Sequence, residues 1–175
     1  YSATQQEEIS ENDWNTLKKA IEDAVNALVE YRKTEGAALE VKFREKISNI
    51  SNLLASVNQY ESARVSKIKD RIKNALVEHV GADYDTNRFE QELIYYIEKL
   101  DINEEKQRLT NHLDYFIKTI EDEKGQGKKL GFIAQEMGRE INTLGSKSNL
   151  AELQNIVVMM KDELEQIKEQ VLNVM

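Results

Sequence analysis

The sequence predicts an all-α protein: a long antiparallel helical hairpin or coiled-coil arm, followed by a C-terminal helical bundle. Three observations carry this expectation. Apolar residues recur at three- and four-residue spacing along almost the whole chain, and no convincing run alternates with period two. Proline is absent from all 175 residues, and proline breaks helix interiors by removing a donor and clashing with the preceding turn. The composition is rich in Glu, Lys, Leu, Ile and Ala, with 40% hydrophobic and 32% charged residues, as a globular helical chain requires.

The elements follow in order. A first helix is predicted from Glu11 to about Lys33, with Ser10 as N-cap and Asp13 as a carboxylate in its first turn. Its apolar stripe is Trp14, Leu17, Ile21, Val25 and Leu28. Gly36 marks either a break or a small step within one continuous helix. From Ala37 to about Val80, Phe43, Ile47, Ile50, Leu54 and Val57 follow a four-three spacing, which is a coiled-coil seam. Glu61 and Arg64 continue that seam before Ile68 and Ala75 resume it, so this part is either splayed or in contact with something charged. At 1.5 Å per residue the segment is about 65 Å long, more than a compact domain's diameter, hence an arm or a hairpin with the first helix.

Gly81 and residues 82–86 read as a loop, and Asn87–Leu100 as a helix packing Phe89, Leu93, Tyr96 and Ile97. Asp101 is the next N-cap, with Glu104 three residues on, close to a capping box. The helix Ile102–Glu123 ends near Gly125 and Gly127. Lys129–Leu144 forms a short helix, Gly145–Ser148 a turn, and Asn149 with Glu152 caps a last helix reaching about Asn173. The expected domains are residues 1–82, the hairpin or arm, and 83–175, the C-terminal helical domain.

Several function classes drop out. Without cysteine there are no disulfides, thiolate zinc sites or cysteine nucleophiles, which is compatible with a reducing cytoplasm. No apolar run approaches the ~20 residues of a membrane helix. The N-terminus lacks both the features of a signal peptide and an initiator methionine, so the chain is expected to be a fragment or a processed product. A formal charge of −8 speaks against a general nucleic-acid coat. The distribution is uneven, however: residues 42–73 carry eight basic and three acidic side chains, and residues 124–147 five and two. Residues 83–123 carry five basic and twelve acidic side chains. The two basic stretches are either solvated helix faces or phosphate-tracking surfaces.

Two polar sets could carry chemistry. Between Gly127 and Asn149, Glu136, Arg139, Glu140 and Thr143 share one helical face, while Phe132 and Ile133 begin the apolar one. Carboxylates four residues apart repel unless a cation lies between them, a place Arg139 or a divalent metal can take. For Glu136 and Glu140 alone, a salt-bridge network stands ahead of a metal site. The second set is Glu104, Glu105, Arg108 and His112, in which Glu104, Arg108 and His112 repeat every four residues as one polar row. A histidine beside carboxylates is suited to proton transfer or metal ligation, although a lone one is more often a structural hydrogen-bonder. His79 reads as a C-terminal helix cation. Gly125–Lys129 lacks the spacing and the preceding strand of a P-loop, and Ser146–Asn149 lacks that of a serine–lysine hydrolase.

The run Gly-Lys-Lys-Leu-x-Phe-x-x-Gln-Glu-Met-x-Arg-Glu-x-Asn-Thr-Leu-x-Ser-Lys at Gly127–Lys147 resembles the signature of the YicC/YloC family. So do Leu100–Glu105 followed by Arg108, Leu109 and His112, the run Arg32–Leu39, and the closing Glu169–Val174. These stretches lie in family order over nearly the whole chain. Gly131 and Gly138 depart from the aspartate and asparagine common there. The resemblance implies a cytoplasmic, metal-dependent endoribonuclease that cuts single-stranded RNA and assembles into homo-oligomeric rings. It also implies an N-terminal domain preceding Tyr1, without which any activity needing it is lost.

Joining the resemblance to the residues gives a set of expectations. Lys128, Lys129, Arg139, Asn142 and Lys147 hold RNA. Glu136 and Glu140, with Glu104 or Glu105, hold a divalent ion, manganese or magnesium by resemblance. His112, Glu136, Glu140 and Arg139 form the catalytic group, with His112 as general acid or base. The rival expectation is a non-catalytic oligomeric scaffold or RNA-binding adaptor whose polar signature is an ion-pair network.

Overall fold

The structure is a computed structural model describing residues 10–81, 85–122 and 126–174; the expected loop positions 82–84 and the expected helix stop at Gly125 lie outside the described residues. Among the described residues the chain forms α-helices and one 3₁₀ turn, with no strand. In order these are α1 (Glu11–Ser56), the 3₁₀ turn Val57–Tyr60, α2 (Glu61–Val80), α3 (Thr86–Lys99), α4 (Asn103–Asp122), α5 (Gly127–Lys147) and α6 (Ala151–Val171). The all-α expectation holds. The chain divides into two compact units, Tyr1–Val41 and Lys42–Met175. The seam beginning at Phe43 belongs to the core of the larger unit.

In the first unit, Ser10 caps α1 as predicted, its Oγ accepting from the Asp13 amide at 3.2 Å. Gly36 makes neither a break nor a turn, for α1 runs through it as one 46-residue helix. The predicted stripe is present on that helix and lies exposed, Trp14 at 54% and Leu28 at 56%.

In the second unit, Phe43, Ile47, Ile50, Leu54 and Val57 are all buried, as the seam predicted. Phe43 meets Phe116 of α4 edge-on at 5.4 Å between ring centroids, a favoured aromatic geometry. Lys46 pairs with Glu163 of α6 at 3.2 Å and Arg44 with Glu121 of α4 at 3.0 Å. Helix α5 packs on α4 along one side and on α6 along another. Its Leu130, Ile133, Met137, Ile141 and Leu144 are buried, as are Leu109, Leu113 and Phe116 of α4 and Leu153, Met160, Leu164 and Ile167 of α6. Each such side chain removed from water contributes about 1.5–3 kcal/mol, and this sum fixes the helices on which the polar sets sit.

Where the structure departs from the sequence reading, the cause is tertiary. The seam does not run unbroken to Val80, because the 3₁₀ turn Val57–Tyr60 interrupts it just before its polar members. Those members are not splayed. Arg64 is buried and its guanidinium donates to the Leu100 carbonyl at the end of α3, satisfying an acceptor that a helix C-terminus leaves open. Glu61 pairs with Lys106 of α4 at 2.6 Å. Asp85, read as loop, is the N-cap of α3 and accepts from the Asn87 and Arg88 amides. Asp101 accepts from the Asn103 amide at 3.4 Å, but Glu104 pairs with Arg108 rather than completing a box. Asn149 does not cap α6; the N-cap is Leu150, without a side-chain bond.

Helix α5 is longer than predicted, continuing through Gly145 to Lys147. The glycines explain how it fits. A Cβ on Gly145 would lie 3.0 Å from a Val157 methyl, and one on Gly138 would lie 3.3 Å from a Leu164 methyl. The missing side chains let α5 and α6 approach closely.

Candidate functional site

The two polar sets predicted from sequence lie on the paired helices α4 and α5. Lys147, at the end of α5, donates to the Asp101 carbonyl and to Glu105 Oε1 at the start of α4, both at 2.8 Å. Further along, Arg108 approaches Glu140 at 3.9 Å. At the far end Lys129 stands over the Tyr115 ring, 5.0 Å from its centroid. These three contacts fix an antiparallel register, and that register sets His112 level with Glu136, one helical turn beyond the Arg108–Glu140 pair. The half-buried His112 therefore lies at the level of Glu136 along the paired helices.

Within the seam the ion pairs differ from expectation. Arg139 does not bridge the two carboxylates of its own helix. It pairs with Glu136 at 2.9 Å, while Glu140 turns inward, is 8% exposed and takes its cation from Arg108 of the neighbouring helix. Arg108, paired also with Glu104, is the residue that joins the two sets. Spacing within one helix could not reveal this, because Arg139 beside Glu140 in the sequence and Arg108 across in α4 compete for the same carboxylate.

Glu105 is buried; Oε1 meets Lys147 and Oε2 has no hydrogen-bond partner. The half-buried Lys147, expected to hold RNA, has its ammonium paired with Glu105 and the Asp101 carbonyl. Among the described residues no three His, Asp or Glu side chains converge as a metal ion would need. Glu105 is held by Lys147 and Glu136 by Arg139, while Glu104 and Glu140 share Arg108. As they stand they do not fit a divalent ion within one chain.

The remaining predicted residues lie on the solvent face of α5. Lys128, Phe132, Gln135, Arg139 and Asn142 follow one another at four- and three-residue steps and are all exposed. Phe132 is a correction: it does not begin the apolar face, for it is 58% exposed while Ile133 beside it is buried. An exposed ring between Lys128 and Arg139 is a stacking surface flanked by phosphate donors. The alternation of burial along Phe132-Ile133 was open to reading from the helical phase of Leu130, Met137 and Ile141, which puts Phe132 on the opposite side.

Among the described residues no helix is long and apolar enough to cross a membrane. The family profile "Endoribonuclease YicC-like, C-terminal" matches residues 57–175. The chain is 34% identical over 163 residues to the "Probable endoribonuclease YicC" of Clostridioides difficile, covering 92% of this chain and 56% of that protein. It is 29% identical over 157 residues to the "Probable endoribonuclease YicC" of Haemophilus influenzae, covering 90% of this chain and 54% of that protein. The chain therefore spans about half the length of these curated relatives. On the signature in α4 and α5 and on these matches, it belongs to the YicC-like endoribonuclease family, whose C-terminal part it carries.

Proposed function

We propose that the protein is, or is the C-terminal part of, a cytoplasmic endoribonuclease that cleaves single-stranded RNA bound along the outer face of α5. The observation that carries this reading is the exposed row Lys128, Phe132, Gln135, Arg139 and Asn142 beside the seam holding His112 and Arg108. Lys128 and Arg139 engage phosphates, Phe132 stacks on an unpaired base, and Gln135 and Asn142 offer amides to base edges or 2′-hydroxyls. Single strands are favoured because only an unstacked base reaches an exposed ring on a convex helix.

Cleavage then needs a proton taken from the attacking oxygen and charge steadied on the phosphate. His112 takes the proton of the 2′-hydroxyl, the 2′-oxygen bonds to phosphorus, and the 5′-oxygen leaves with a proton from solvent. Arg108 and Arg139 steady the phosphate oxygens; Glu104, Glu136 and Glu140 orient the two guanidiniums through their ion pairs. No step is routed through a metal, since the carboxylates do not converge on one. A manganese or magnesium requirement and a homo-oligomeric ring remain parts of the proposal, read by cleavage with and without the ion and by light scattering.

Labelled single-stranded RNA incubated with the whole protein tests this reading. His112→Ala should slow cleavage at least about 100-fold, Glu136→Gln should lower it less, and the 5′ fragment should end in a cyclic phosphate. A wild type that never cuts, or variants that both cut as well as it does, would sink the assignment. The second reading, a non-catalytic RNA-binding scaffold, draws on the cation found beside every candidate carboxylate; it predicts binding without cleavage.

A further inference from the structure

The larger unit has a concave surface between α2 and α3 that none of the site residues above lines. Helices α2 and α3 are joined by a short link, and Arg64 at the start of α2 holds Leu100 at the end of α3, so the two run antiparallel. Between them lies a cleft of about 480 Å3, within the size range of small-ligand sites. One wall is the row Arg71, Ala75 and His79, and the other is the row Arg88, Glu92 and Tyr96, each spaced by one helical turn. Ile68, Ile72 and Leu76 make an apolar floor, and Leu100 and Asn149 close the inner end.

We propose that this cleft binds one nucleotide of single-stranded RNA, with guanine preferred. The inference rests on the ribonuclease reading for its polymer. The choice of a nucleotide comes from the cleft's own chemistry. Arg71 and Arg88 are exposed and, among the described residues, neither guanidinium has an ion-pair partner. Two such forks on opposite walls suit a phosphodiester, which a guanidinium meets with two parallel hydrogen bonds. Tyr96 is 41% exposed and presents a ring on which a base can stack over the apolar floor.

The two carboxylates of the cleft are not equivalent. Asp85 is committed to its own helix, accepting from the Asn87 amide at 2.9 Å and the Arg88 amide at 3.4 Å. Glu92, one turn before Tyr96, makes no such bond among the described residues. An ionised carboxylate only accepts. Guanine is the base whose Watson–Crick edge sets two donors side by side, N1–H and the 2-amino group. Adenine, cytosine and uracil each oppose an acceptor to one carboxylate oxygen. Asn149, whose side-chain oxygen is buried without a donor, adds a further acceptor at the inner end.

Fluorescence anisotropy on the whole protein tests the proposal with two short labelled single-stranded RNAs, one carrying guanosines and the other adenosines at the same places. Wild type should bind the guanosine RNA more tightly. Tyr96→Leu should weaken binding about five-fold or more, with Tyr96→Phe close to wild type. Arg71→Gln and Arg88→Gln should weaken both RNAs alike, whereas Glu92→Ala should remove the difference between them. All these side chains are exposed, so the thermal midpoint should stay put, and each variant is scored only with that control. Equal wild-type affinity for the two RNAs overturns the guanine preference. If the cleft variants bind like wild type while Lys128→Gln with Arg139→Gln loses RNA, the cleft proposal falls and the α5 reading stands. A wild type that binds neither RNA overturns both.

Discussion

Helix α1 carries two apolar stripes with the same helical spacing and opposite surroundings. Trp14, Leu17, Ile21, Val25 and Leu28 lie exposed in the first unit, while Phe43, Ile47, Ile50 and Leu54 are buried in the second. Periodicity alone does not separate them. It reports that one side of a helix is apolar, and the partner that covers it is a property of the rest of the chain. The second stripe is met by α4 and α6 through the Phe43–Phe116 contact and the Lys46–Glu163 pair. The first stripe, in the smaller unit, is exposed.

The largest effect expected from this difference is at Phe116, which is fully buried. Phe116→Ala should destabilise the protein by about 3–5 kcal/mol, by lost burial and the cavity left behind. Denaturant unfolding followed by helix ellipticity measures it. A loss below about 1 kcal/mol would mean that this core is looser than its burial implies.

The same contrast separates what could be read from the sequence. The helices, the buried seam and the family signature depend on local spacing, and they were all legible. Glu140's partner was not, because Arg108 lies on another helix and Arg139, between Glu136 and Glu140 in the sequence, offered a local answer. Arg64 stands out as a polar residue in the seam, but its acceptor, the Leu100 carbonyl, is in place only once α3 has folded back. Leu150 in place of Asn149 as N-cap fails the same way: cap preferences are weak next to the packing that sets where α6 begins. Phe132 is different, since the phase of its buried neighbours already placed it outside.

The next largest effect is electrostatic. Lys147→Met removes the cation paired with Glu105, whose carboxylate is buried with an orphaned oxygen. The expected loss is about 2–3 kcal/mol, because an uncompensated buried charge costs more than the pair gains. Combining it with Glu105→Gln should recover most of that loss in the same unfolding assay. An unrecovered loss would show that Lys147 acts through the Asp101 carbonyl instead. Smaller again is Gly145→Ala. Its added methyl meets Val157 at 3.0 Å, and overpacking here should cost about 1–2 kcal/mol, read as a lower thermal midpoint.

The smallest effect is expected at Trp14, and it tests the comparison most directly. Tryptophan is the largest side chain in the exposed stripe, so if that face were covered its loss would be felt as strongly as that of Phe116. At 54% exposure Trp14→Ala should instead change stability by no more than about 0.5 kcal/mol. The measurement is made at two protein concentrations, because a face covered by a second copy is stabilised only when copies associate. A cost that appears at high concentration and vanishes on dilution would assign the stripe to self-assembly, the state the ring proposal requires. A cost of several kcal/mol independent of concentration would mean that the chain covers this stripe itself, and the contrast between the two halves of α1 would be gone.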